Sequence, residues 1–446
     1  MDIIKPLIRH ALYPYMEHIK GNHIRTRITQ LLETDKSESA SLQKQQDQAL
    51  KKLLLHCIKE VPYYMPYTHL EPVIIKNPKD ALKQFPVLDK KTFSLNPQAF
   101  LSVSSKVEDR IENRTGGSTG EPVRFVIDRN TVEFYEACRY RGLSWYGITP
   151  YDRSIMVWGS PVEIDVLKNK KAQFKEKILK NRVVIPAYSL KKEEIKSHVA
   201  LIHRYKPDYI YGYASALFAL AQLIESEGLR IDHQLKGIVS TSENLFEEQR
   251  ILIESVFKTT CINEYGARDG GIIAYECPSH NMHLAEESLF VETVDLNSDL
   301  ATSASGKLLI TDLHNYSMPR LRYQVGDLGK IEASTCACGR KHRILTSLDG
   351  RVDDMFITKT GEYVHGHFVN HIARDMNAFE TFQVIQTSPE HFDIAIVPKP
   401  DTTDGQIEHF VDLIAKKFDT KDITVKKVSE IPKSASGKIR YAKRAF

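Results

Sequence analysis

The sequence predicts an α/β protein made of a large N-terminal region, residues 1–352, and a small mobile C-terminal α+β domain, residues 353–446. Three observations predict it. From about Val123, short apolar strand candidates alternate with longer helical segments, a pattern of largely parallel pairing. After Asp327 the texture shifts to short strands, tight turns and charge. The final stretch then offers strands and one helix, an order and size that suit a lid.

In chain order, a helix with Leu50, Leu53, Leu54 and Cys57 on one face begins near Asp47. It stops at Val61-Pro62, because proline has no N–H and clashes with the preceding turn. Residues 123–127 read as a strand, 131–146 as a helix and 154–158 as a strand. A strand over 208–212 leads into a helix over 214–227, and a strand over 237–241 into a helix over 247–257. The second unit holds strand candidates at 382–385 and 392–397 and a helix at 406–418. Near the N-terminus, Ile4, Leu7, Ile8 and Leu12 recur at helical spacing, which predicts a helix docked on the protein's own surface.

Composition bounds the rest. With 446 residues and 42 % hydrophobic content, the chain can bury more than one core. Its 61 basic and 57 acidic residues leave a formal charge of +4, too dilute for a nucleic-acid partner or a membrane surface. No apolar run reaches the roughly 18 residues a transmembrane helix needs, and the first residues lack a signal-peptide core. Six cysteines in so long a chain do not read as a disulfide framework, so the cytoplasm is the expected compartment. Cys57, Cys138 and Cys261 fall in helical or strand segments and are expected in the core.

Five motifs carry possible chemistry. Thr115, Gly116, Gly117, Ser118, Thr119 and Gly120 combine tight-turning glycines with hydroxyl and amide donors, a composition that cradles phosphate or simply turns in solvent. It is no Walker loop, since Gly-Lys-Ser/Thr is missing. Asn263–Gly271 offers an aromatic, Tyr265, followed by Gly266, Arg268 and Asp269; such an aromatic can stack on a base and such a carboxylate can hold Mg²⁺. Asp327, between Gly326 and Gly329, can accept from ribose hydroxyls or close its turn. Arg351 supplies a rigid cation, and Asp353 stands where the texture changes and suits a hinge. Finally, Lys438 sits in a Gly/Ser-flanked loop from which an ammonium can offset charge developing in a transition state.

In this order the motifs resemble the adenylate-forming superfamily of acyl-CoA synthetases, and more narrowly its phenylacetate-CoA ligase and CapK-like branch. The resemblance runs from Leu53 to the final lysine loop. It implies that the Thr115–Gly120 loop binds phosphate, Tyr265 stacks on adenine, Asp327 binds ribose, Arg351 lies beside the hinge and Lys438 promotes adenylation. Ser242-Glu243 resembles the acidic segment ahead of the adenine pocket. The implied reaction joins a small carboxylic acid to ATP, with Mg²⁺, and releases pyrophosphate. The acyl group then passes to an acceptor, CoA or an amine or hydroxyl of a surface-polysaccharide precursor. Two departures stand out: Arg268-Asp269 replaces the family's Thr-Glu, and the segment after Asp354 is His-rich, with His365 and His367 alternating along a possible strand. The acid pocket is expected among residues 211–216 and 240–244.

Cys277 and His283 precede Cys336 and Cys338 by about fifty residues. Three thiolates and an imidazole suit a structural tetrahedral Zn²⁺, with His280 competing as the nitrogen ligand.

Overall fold

The computed structural model describes residues 4–114, 123–159, 176–177, 181–187, 190–351, 355–361, 363–376, 378–432 and 441–446. Thr115 to Gly120, Asp353 and Lys438 lie outside the described residues.

Strands form where β-branched and aromatic residues cluster. The first two, β1 (Ile111–Arg114) and β2 (Arg124–Ile127), pair antiparallel with Arg114 opposite Arg124. Next come β3 (Ser154–Trp158), β4 (Arg182–Pro186), β5 (Tyr209–Tyr213), β6 (Gly237–Thr241) and β7 (Cys261–Ala267). These five pair in parallel in the order β4-β3-β5-β6-β7. The chain then reverses. β8 (Gly271–Glu276) returns antiparallel to β7, β9 (Met282–Leu284) to β8, and β13 (Ile344–Arg351) to β9. Beyond β13 the same sheet holds β12 (Tyr323–Glu332), β11 (Gly306–Asp312) and β10 (Leu289–Val294). The expectation of largely parallel pairing therefore holds only for β3 to β7. No long helical crossover follows β7, and a tight turn at 268–270 permits only an antiparallel return.

The parallel half is covered on both faces, as such sheets require. Ile238 of β6 packs into a core with Leu217, Ile224, Ile253 and Phe257 from the helices Ala214–Ser226 and Glu247–Phe257. Its neighbour Val239 points to the other face, against Phe134, Ala137 and Cys138 of the helix Arg129–Ser144. That helix is capped by Asp128, whose Oδ1 accepts from the Thr131 N–H at 2.9 Å. Cys57, Cys138 and Cys261 are all buried.

The β7–β8 turn is tightly held. Gly271 has φ +68°, and a Cβ there would lie 2.3 Å from the Tyr135 ring. Gly271→Ala is expected to cost about 2–3 kcal/mol, from strain and overpacking together. The denaturant midpoint measures it; a loss below about 0.5 kcal/mol would mean Tyr135 moves freely aside.

The chain divides into two compact units. The first takes in most residues up to Val325 together with Lys330–Ser347, and the second holds Gly326–Gly329 with Leu348–Phe446. In the second, β14 (Met355–Ile357) pairs with β15 (Tyr363–His365). A four-stranded sheet runs in the order β18-β17-β16-β19, from β16 (Phe379–Gln386), β17 (His391–Pro398), β18 (Asp422–Lys427) and β19 (Ala442–Arg444). Phe356, Phe382, Phe392, Phe410 and Phe418 form its core with the helix Asp404–Phe418. One expectation fails here. His365 ends β15, but His367 opens the helix His367–Met376 rather than continuing a strand.

Two helical expectations also change. The helix expected from Asp47 begins earlier, spanning Ser39–Glu60, because its first turns carry polar residues with little apolar signal. In the N-terminal segment Ile8 is buried but Leu7 is 52 % exposed, so its apolar residues do not share one docked face. Among the described residues, no helix is long and apolar enough to cross a membrane.

Candidate functional site

Tyr265 and Gly266 sit near the end of β7, where the ladder to β8 shifts register between them. Gly266 has no room for a side chain, since a Cβ would lie 2.7 Å from the Gly271 carbonyl oxygen. Tyr265 is buried. Just beyond β6, Ser242 adopts φ +66°, and the next residue, Glu243, accepts the Ser215 N–H at 2.9 Å. Its carboxylate thus serves the first turn of the helix Ala214–Ser226, where negative charge favours the helix dipole.

Arg268 and Asp269 part company. Arg268 is exposed, with Nε donating to Asn113 Oδ1 of β1 at 3.2 Å. Asp269 is buried and accepts the Tyr323 hydroxyl on Oδ2 at 2.7 Å, with Lys90 Nζ 3.7 Å away. Sequence reasoning missed both partners. Tyr323 stands three residues ahead of Gly326-Asp327 with nothing local to mark it, and Lys90 carries no local signal either. Lys90 opens the short helix Lys90–Leu95, capped by Asp89.

Asp327 and Arg351 meet within the second unit, Oδ1 to Nε at 3.5 Å. The meeting depends on Gly326, at φ +95°, where a Cβ would lie 2.7 Å from an Arg351 guanidinium nitrogen. The nearby Arg322 is a structural residue. It reaches Glu292 at 3.3 Å and donates to the Phe85 carbonyl at 3.0 Å.

The ligand atoms of Cys277, His283, Cys336 and Cys338 all lie within 4.8 Å of one another. Cys277 Sγ is 3.6 Å from Cys336 Sγ, and His283 Nε2 is 3.2 Å from Cys338 Sγ. His283 is placed by β9 and turned by Nδ1, which lies 3.2 Å from the His342 carbonyl oxygen. If Nδ1 donates there, the Nε2 lone pair faces the thiols, the tautomer a metal needs. His280 lies outside the group: its Nδ1 faces Glu276 at 3.1 Å. Burial brings His283 down to about 4, so it is neutral near pH 7. Burial pushes the Cys277 thiol up to about 12. At Cys338 burial also acts upward, but hydrogen bonds from Arg340 outweigh it and the thiol falls below its ordinary value.

Behind the cluster, His342 Nε2 lies 2.8 Å from Glu287, and Arg141 Nη1 reaches both Glu287 oxygens at 2.8 Å. Burial opposes ionisation of Glu287, but Arg141 and His342 hold its carboxyl well below the usual range. Next to it, His314 stacks on Phe134 and faces the Glu287 carbonyl oxygen at 2.8 Å. Burial lowers His314 to about 4. The unfolded chain takes up a proton near pH 6.5 that the folded protein refuses until about 4. Stability is therefore expected to fall as pH drops through that window. His314→Gln should flatten the slope, read as proton uptake on unfolding; an unchanged slope would assign the effect elsewhere.

Residues 356–445 match the CapK C-terminal domain family. Over 251 residues the chain is 20 % identical to protein CapK of Staphylococcus aureus, covering 56 % of this chain and 54 % of that protein. The chain thus spans about half the length of that curated relative. It is 24 % identical to the phenylacetate-coenzyme A ligase of Thermus thermophilus over 332 residues, 70 % of this chain and 71 % of the ligase. Its fold matches 2-hydroxyisobutyryl-CoA ligase in complex with an acyl-AMP at a TM-score of 0.69 and 17 % identity, covering 92 % and 91 % of the two chains. ATP-bound MatB from Rhodopseudomonas palustris matches at 0.52 and 15 % identity, over 75 % and 67 %. The chain is thus similar to CapK and to phenylacetate-coenzyme A ligase, and it shares the fold of 2-hydroxyisobutyryl-CoA ligase.

Proposed function

We propose that this chain is an AMP-forming ligase: it activates a carboxylic acid with ATP, releases pyrophosphate, and passes the acyl group to CoA. The observation that supports this most is the fold match over 92 % of the chain to a ligase holding an acyl-AMP. In this reading the substrate carboxylate attacks the ATP α-phosphorus and pyrophosphate leaves in line. The residues 115–120 take the phosphates, Tyr265 the adenine and Asp327 the ribose, with Arg351 setting the Asp327 carboxylate. Asp269, oriented by Tyr323, would be the carboxylate that holds Mg²⁺, and the ion would neutralise phosphate charge there. Lys438 stabilises the transition state, and the C-terminal domain, residues 353–446, turns about Asp353 between half-reactions.

The Cys277, His283, Cys336 and Cys338 set is proposed to hold a structural Zn²⁺, since three sulfurs and one neutral imidazole within 4.8 Å of one another supply the four donors that a closed zinc site takes. Reduced thiols of this kind suit a cytoplasmic setting.

A second acceptor is favoured by one observation: residues 356–445 match the C-terminal domain of CapK. That reading transfers the acyl group to an amine or hydroxyl of a sugar precursor. A pyrophosphate-exchange screen over aryl, aliphatic and amino acids tests the first half-reaction. Thioester formation on adding CoA then decides between the acceptors, and its absence alongside acylation of a sugar amine would select the second.

A further inference from the structure

One apolar stripe on the surface of the first unit has no covering element among the described residues. Residues 4–20 form an unbroken helical run, in which a π turn, Ile8–Leu12, joins two α-helical segments, Ile4–Leu7 and Tyr13–Lys20. One side of the run is docked. Ile8 and Glu17 are buried, Tyr13 packs edge-on against Tyr151 at 5.5 Å between centroids, and Arg129 donates to the Lys20 carbonyl. The other side carries Leu7, Ala11, Tyr15 and Ile19, every fourth residue and all exposed, Leu7 by 52 % and Tyr15 and Ile19 by 64 % each. A step of four residues overshoots an α turn by about 40°. The wider π turn at 8–12 takes part of that drift back, so the four positions stay along one side of the helix.

The charge around the stripe has one sign. Over 4–20 the sequence sets Lys5, Arg9, His10, His18 and Lys20 against one acid, Glu17. Arg9, His10, His18 and Lys20 are exposed. Glu17 is turned inward and already ion-paired with Arg25, whose backbone N–H it accepts at 2.9 Å. The formal +4 is dilute over the whole chain, but on this helix cations border apolar side chains directly. A second copy of the chain would bring like charges together across the stripe, which opposes self-pairing. Apolar surface rimmed by cations is complemented by a surface that is apolar within and negative at its rim, an anionic lipid leaflet. Tyr15 suits such a place, since its ring is apolar while its hydroxyl stays in water.

We propose that this helix docks the protein on an anionic lipid surface, with Leu7, Tyr15 and Ile19 entering the headgroup boundary and Arg9 and Lys20 meeting lipid phosphates. The attachment is peripheral. Three apolar side chains and a few cations give a reversible, salt-sensitive contact rather than insertion. It stands apart from the adenylation reading, since none of these residues belongs to the site proposed above.

The test is co-sedimentation of the full chain with vesicles of phosphatidylcholine alone and of phosphatidylcholine mixed with phosphatidylglycerol. Partitioning to the anionic vesicles is expected to exceed that to the neutral ones by at least about tenfold, and to fall as salt is raised. The double variant Tyr15→Ser, Ile19→Ser should lose at least about tenfold on the anionic vesicles, and Arg9→Gln with Lys20→Gln a similar factor. Both variants alter exposed side chains, so their thermal midpoints should stay at the wild-type value. Equal partitioning to the two vesicles, none to either, or an unchanged partition in either variant would overturn the inference. A wild-type dimer that Tyr15→Ser, Ile19→Ser dissolves would overturn it too, and would assign the stripe to a second copy of the chain.

Discussion

Lys438→Ala is expected to lower ATP–pyrophosphate exchange by about 10²–10³-fold or more, while leaving consumption of a supplied acyl-adenylate near wild-type rate. In the proposed mechanism the two half-reactions place different demands on the Lys438 ammonium. Negative charge builds on the α-phosphoryl oxygens only while the carboxylate attacks, so a cation there matters to the first step. In the second step the adenylate is already formed, and AMP is the leaving group. Loss of both activities together would point to misfolding of the segment and is checked by the thermal midpoint. Retained exchange would assign the role to another cation.

The second large effect is expected at the cysteine–histidine cluster. Cys277→Ser should remove one equivalent of zinc by elemental analysis and lower the melting temperature by about 10 °C, because a closed metal site contributes its binding energy to folding. Chelation of the wild-type protein should act in the same direction and reverse on readdition of zinc. The cluster joins the β8–β9 turn to the segment before β13, elements separated by about fifty residues of chain. Acyl-adenylate formation at low temperature should survive in part if the metal is structural. A preparation fully folded with no zinc would overturn the assignment.

Much of the large unit was legible because its parallel strands are continuous apolar runs, and 154–158 and 237–241 coincide with strands to the residue. The antiparallel half was not. β12 and β13 alternate polar and apolar residues through Gly326, Gly329 and Gly350, so glycine and charge read as loop where the structure has long strands. The grouping of Cys277, His283, Cys336 and Cys338 was legible because thiol and imidazole side chains announce their chemistry. The choice between His280 and His283 was not, for it depends on which side of the Ser279–Met282 turn faces Cys338. Tyr323 and Lys90 were invisible for a related reason. Their roles arise from contacts to Asp269 across gaps of 54 residues or more in sequence, where no periodicity or spacing rule reaches.

The close approach of Gly326 to Arg351 has an evolutionary corollary. A Cβ at 326 would lie 2.7 Å from the guanidinium, so the two positions share one volume. A side chain at 326 is opposed twice: it must displace the Arg351 guanidinium from Asp327, and at φ +95° the backbone itself favours glycine whatever stands at 351. Descendants of this chain should therefore hold glycine at 326 more strictly than arginine at 351, and a library randomised at the two sites should return glycine at 326 even where 351 has shortened.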